Sequence, residues 1–237
     1  MEESSKAKST AVVVAVLALV VGGGVGFLLG NQGGNDNTGD TATTQQTNSE
    51  VAPDTATPAA DLRALLNNLE TEHVSLAAAA TRQGFNSGDL EDPQFVAAAG
   101  SLDKNSNDLA DAVGSVYGDE ARARFYEIWA SHIGFFVDYT VAAKTGDQAG
   151  MDKAVQNLNG YVEAISDFFS KANPNLPKDA VAQLITEHVG LLKATVDNHG
   201  AGDFKASYAK EDETRTQITT IADAIAGAIV KQNPDKF

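Results

Sequence analysis

The chain contains no cysteine. Disulfides, a thiolate nucleophile, Cys-ligated zinc or iron–sulfur sites and a lipoprotein cysteine are therefore excluded. Basic residues are scarce, with 17 Lys and Arg against 32 Asp and Glu over 237 residues, a formal net charge of −15. A nucleic-acid binder neutralises phosphates with a basic surface, so this balance argues against that class. Catalytic motifs are missing too. There is no Gly-x-Ser-x-Gly elbow, and the one glycine-rich stretch, Gly22 to Gly26, is not followed by the Lys-Ser/Thr of a phosphate loop. Ser75 and Ser131 lie near histidines without any other nucleophile context. Hydrophobic residues nonetheless make up 43% of the chain, enough for a real core.

Residues 11–30 form a 20-residue uncharged apolar run, the length a helix needs to cross about 30 Å of hydrocarbon. Lys6 and Lys8 precede it, and no further Lys or Arg occurs before Arg63. The positive-inside bias predicts a cytoplasmic tail over 1–10, a transmembrane anchor over 11–30 and export of everything beyond. The rival is a cleaved signal peptide that releases a secreted protein; no small-x-small site follows Leu29 closely, so an uncleaved anchor is preferred. Gly22, Gly26 and Gly30 repeat every fourth residue, a stripe that lets two anchor helices pair as a homodimer. Residues 31–57 are rich in Asn, Gly, Thr and Gln and contain no aromatic, which predicts a disordered linker with an r.m.s. span of about 30 Å.

From residue 58 to 237 the period is helical. Leu62, Leu65, Leu66, Leu69, His73 and Leu76 fall on one stripe, as do Phe125, Ile128, Trp129, His132 and Phe136, and Val181, Leu184, Ile185, His188, Leu191 and Leu192. Gly and Pro punctuation predicts six helices near 59–83, 93–115, 119–145, 149–172, 178–199 and 203–231, with Asp119 as a cap for the third. The marks recur: Glu72-His73-Val74, Ser131-His132-Ile133 and Glu187-His188-Val189 are spaced by 59 and 56 residues, and Asn173-Pro174 and Asn233-Pro234 by 60. The expected fold is all-α, three diverged helical hairpins packed as a bundle or short solenoid.

The blocks His132-Ile133-Gly134-Phe135-Phe136-Val137-Asp138-Tyr139-Thr140 and Ala172-Asn173-Pro174-Asn175-Leu176-Pro177, and the closing Gln232-Asn233-Pro234-Asp235-Lys236-Phe237, carry a resemblance. They resemble an uncharacterised family of exported bacterial helical-repeat proteins, some of which adjoin copper amine oxidase N-terminal-type domains. The resemblance covers residues 60–237 and implies a helical fold and an extracytoplasmic address; the copper label belongs to the neighbouring domains.

Three of the four histidines, His73, His132 and His188, occupy one internal position of the repeat. The favoured reading is structural, a core imidazole fixing helix register through a hydrogen bond. The expected partners are Asp103, Asn105 or Asp108, then Asn157 or Asn159, then Glu211 or Glu213 of the intervening helices. The alternative is a site for copper, zinc or haem, because three neutral imidazoles converging on one axis make a ligand set for such a metal. Glu70-x-x-His73 has the spacing used in di-iron bundles, but no second copy accompanies it. His199 reads as a cap complementing a helix dipole, Glu211-Asp212-Glu213 as a solvent-facing run, and Trp129, Phe135, Phe136, Phe168 and Phe169 as core. The expected function is a non-catalytic, membrane-anchored binding or scaffold module of the bacterial envelope. Removing the four linker acids leaves −11 on residues 58–237, a surface suited to cations or a basic envelope partner.

Overall fold

A computed structural model describes residues 57–237. The expected tail, anchor, glycine stripe and nearly all of the linker lie outside the described residues. Among those described, no helix is long and apolar enough to cross a membrane.

Six helices follow one another: α1 (Pro58–Ser87), α2 (Pro93–Tyr117), α3 (Asp119–Thr145), α4 (Gln148–Ala172), α5 (Lys178–Gly200) and α6 (Phe204–Gln232). Their ends are set locally. Thr57, Asp92, Asp147 and Asp203 each accept a hydrogen bond from a first-turn amide, and Pro58 and Pro93 open helices where their missing N–H costs nothing. Gly88 and Gly146 close α1 and α3 in the left-handed conformation, with φ of 68° at both. One expected cap is misplaced. Asp119 is the first residue of α3, the N-cap is Gly118, and no side chain caps that end. Asp119 and Glu120 instead place negative charge in the first turn, where the helix dipole favours it.

Each helix packs on the next, and α6 returns to pack on α1, so the ring closes. This is a bundle and not an open solenoid. The odd helices α1, α3 and α5 also touch one another at the centre. The closing seam between α1 and α6 carries the Arg82–Glu211 ion pair and the exposed Arg63–Asp223 pair.

The core is stacked along the bundle axis. At one end, Leu62 and Leu66 of α1, Phe125, Ile128 and Trp129 of α3, and Val181 and Ile185 of α5 belong to the main apolar cluster. At the other side, Ala77, Phe136 and Leu192 belong to a second, smaller cluster. Between them, in every odd helix, stands the histidine. The residue four positions after each histidine lies in the small cluster, and the residue seven positions before it lies in the large one. The 3.6-residue period thus delivers the three imidazoles to one layer.

Candidate metal centre

His73, His132 and His188 are 0%, 2% and 4% exposed. The ring centroid of His73 is 5.4 Å from that of His132 and 6.3 Å from that of His188. The three rings share one layer, with His73 in the middle, a convergence the sequence left open. The Nε2 atoms of His73 and His132 are 3.4 Å apart. Two nitrogens bound to one tetrahedral ion at 2.0–2.1 Å stand about 3.3 Å apart, so this pair already has the spacing of co-ligands. His188 is farther out. Among the described residues, no three His, Asp or Glu side chains are closed around a common point. His188 would have to move inward by about 1 Å to match the His73–His132 spacing.

Each ring has a carbonyl-type oxygen behind it. The Nδ1–H of His132 donates to the Trp129 carbonyl of its own helix. Asn105 of α2 lies beside His73 and Gln217 of α6 beside His188, and neither closes a hydrogen bond to the ring. The amide groups of both are held elsewhere: Asn105 Nδ2 donates to the Leu69 carbonyl at 2.9 Å and to Glu72 Oε2 at 3.1 Å, and Gln217 Nε2 to the Leu184 carbonyl at 2.8 Å. Their oxygens, Asn105 Oδ1 and Gln217 Oε1, are buried without donors, and so are Nδ1 of His73 and both ring nitrogens of His188. Metal-bound histidines ordinarily donate their second N–H to such an oxygen.

The expected partners resolve unevenly. Asn105 lies beside His73 without closing the expected hydrogen bond, because its Oδ1 has no donor. Asp103 accepts from Tyr126, Asp108 from Lys104, and Glu213 from Lys210. Asn159 is exposed and Asn157 lies among the groove-lining residues of α4. Glu211 departs from the solvent-facing reading: it is buried between Arg82 and Arg215, while Asp212 and Glu213 stay exposed. His199 stands in the last turn of α5, as expected of a residue complementing the helix dipole, and makes side-chain contacts as well. Its Nε2 meets Asn86 at 2.9 Å and its ring stands edge-on to Phe85, tying α5 to α1; burial and Arg82 lower its pKa.

Tautomers give the cluster its chemistry. With Nδ1 protonated, His132 turns a bare Nε2 lone pair toward His73. If His73 donates from Nε2, its Nδ1 and Asn105 Oδ1 both stay orphaned. If His73 donates from Nδ1 to Asn105, two lone pairs face each other across 3.4 Å, an arrangement a cation between them would stabilise. Unpartnered buried polar atoms are rare in native cores, and here those of His73, His188, Asn105 and Gln217 occur together. All three rings are neutral at physiological pH. Burial takes His132 down to about 3 and His188 to about 4, and burial together with the other two rings takes His73 well below its ordinary value. Neutral imidazole is the metal-binding form.

Sequence inspection passed over Tyr161, read Trp129 as core, and set Glu70 aside with the di-iron spacing. Tyr161 stacks on His132 at 4.5 Å, and Trp129 stands 4.8 Å from both His73 and His132. Glu70, one turn before His73, is 3% exposed; burial raises its pKa to about 8. The signal for Glu70 was its place on the apolar stripe, at the level of Trp129 and Ile185. A cavity of about 30 Å³ adjoins the pair, lined by His73, His132, Ala77, Leu102, Phe136 and Leu192 among others. It has room for a small ion with a water molecule, which needs only about 10–15 Å³. A porphyrin needs a pocket several hundred Å³ larger, so haem does not fit this arrangement.

No protein-family model, curated protein or solved structure matches the chain.

Proposed function

We propose that the chain is an exported, membrane-anchored helical binding module whose buried histidine layer holds a divalent late transition-metal ion, zinc or copper. The observation that carries this reading is a layer of three buried imidazoles in which Nδ1 of His73 and both ring nitrogens of His188 have no partner, while Nε2 of His73 and of His132 lie 3.4 Å apart. The register role favoured from sequence predicts satisfied rings, and only His132 is satisfied at Nδ1. His73 and His132 supply the first two ligands, His188 the third, and Asn105, the Trp129 carbonyl and Gln217 orient them. Three diverged copies of one hairpin account for the arrangement, because each copy presents its histidine at the same level of the ring.

The module acts without catalysis, by binding, at the outer face of a bacterial membrane. Residues 11–30 anchor it, with Gly22, Gly26 and Gly30 available for homodimer contact, and the acidic surface meets cations or a basic envelope partner. The resemblance to exported helical-repeat proteins supports the address.

Isothermal titration of the full chain with Zn(II) and Cu(II) tests the metal reading. One equivalent should bind to wild type and be lost in His73→Ala and His132→Ala with helicity unchanged. Absence of binding by either ion overturns it. The lack of native cysteine makes the address testable by single-cysteine labelling: an impermeant maleimide should reach Ser49→Cys in intact cells but not Ser5→Cys.

A further inference from the structure

Leu184 and Leu191 of α5 stand seven residues apart, so the helical period sets them two turns apart on one face. Both are only partly buried, and they form the apolar floor of an open groove of about 500 Å³ between α5 and α6. Its rim is acidic. Glu187 of α5 and Asp212 and Glu213 of α6 are exposed along it, with Thr220, and no Lys or Arg lines it. The groove between α3 and α4 differs, because there Arg124 and Lys171 stand beside Glu120 and Asp167. Asp212 does pair with Arg215, and Glu213 with Lys210 at 2.6 Å. These are solvent-facing pairs three residues apart on one helix, which contribute little and exchange readily for an incoming cation. Tyr208, one turn before Asp212 on the same row of α6, is 59% exposed and extends the row with an aromatic of the kind enriched where proteins meet.

We infer that this groove docks a basic amphipathic helix of a partner protein. Two turns of the partner's apolar face rest on Leu184 and Leu191, and its flanking Lys or Arg side chains meet Glu187, Asp212 and Glu213. A helix repeats its apolar residues at i, i+3 or i+4, and i+7, the interval that separates the two leucines. A neutral or acidic helix would seat on the same floor but leave three carboxylates desolvated or facing like charge. The inference gives a place to the basic partner of the proposed function and rests on that reading.

The experiment is fluorescence anisotropy of a labelled leucine–lysine peptide of about 18 residues, its leucines on one helical face, at about 0.15 M salt. The full chain is held in uncharged detergent, with empty micelles as the blank. A peptide of the same composition with its leucines scattered around the helix is the comparison. Glu187→Gln with Glu213→Gln should weaken binding of the amphipathic peptide about 10-fold, and Leu184→Ala about 5-fold. Glu91→Gln with Asp235→Asn removes two exposed acids elsewhere and should change it less than about 2-fold. Equal weakening by the two double variants, equal binding of the scattered peptide, or no binding by wild type overturns the groove. Each of these results leaves the metal titration of the histidine layer as a separate test.

Discussion

Lowering the pH from 6.8 to 5.0 should destabilise the metal-free protein by about 3 kcal/mol. Three imidazoles are buried and neutral in the native state, with pKa values pushed below the ordinary 6.5. Below pH 6.5 the unfolded chain therefore binds protons that the native state refuses, and stability falls as pH falls. Glu70 works the other way. Its native pKa of about 8 exceeds the ordinary 4.5, so between those values the native state holds the extra proton and stability falls as pH rises. The two tendencies balance where each unfolded imidazole is one-third protonated, near pH ~6.8. From there to pH 5 the three rings together cost about 5.5 kcal/mol at about 1.4 kcal/mol per pKa unit, and Glu70 returns about 2 kcal/mol. Asp138 on α3, exposed but also raised by partial desolvation, adds a smaller pull in the direction of Glu70. The net loss corresponds to a fall in melting temperature of about 10 °C for a domain of this size. Urea unfolding followed by circular dichroism in chelator-treated buffer reads it directly. His188→Leu removes one titrating ring and should shrink the loss to about 1.5 kcal/mol. A stability that is flat or rising toward pH 5 would mean that the rings are not held neutral in a dry layer.

Other outcomes follow from single positions. Phe125→Ala empties a site that is 2% exposed beside Trp129, Phe168 and Phe169, and should cost about 3–5 kcal/mol in urea unfolding. Arg82→Leu strips Glu211 of its buried partner on the α1–α6 seam and leaves only Arg215 at 3.1 Å; a loss of about 2 kcal/mol is expected by the same assay. Two glycines should respond with opposite signs. Gly146→Ala strains a residue at φ 68° and should lower stability by about 1 kcal/mol, whereas Gly134→Ala, within α3 and with open space at its Cβ, should raise it by about 0.5–1 kcal/mol.

Helix positions were legible because the signals for them are local. The apolar stripe, the capping aspartates at 92, 147 and 203 and the glycines at 88 and 146 act within one turn of where they stand. The site was half legible. Matching positions of His73, His132 and His188 within the repeat put each ring on the inner stripe of its helix, since a helix returns to the same face with fixed period, but whether the rings meet depends on how the hairpins pack. Their hydrogen-bond partners did not follow, because offsets between neighbouring helices depend on packing along the whole ring. Asn105 lies beside its histidine with Oδ1 unpaired, whereas Asp103 and Asp108, on the same helix, turn to Tyr126 and Lys104. Closure of α6 onto α1 was equally invisible, being a contact between the ends of the helical region. Leu65 shows the limit of periodicity itself: it sits on the edge of the stripe and is 47% exposed.

Anomalous scattering at the zinc edge, from crystals of the full chain grown with one equivalent of Zn(II), tests the metal centre most directly. A single strong peak about 2.1 Å from Nε2 of both His73 and His132 is the predicted result. Zinc found only on surface carboxylates, with no peak between those rings, would contradict it.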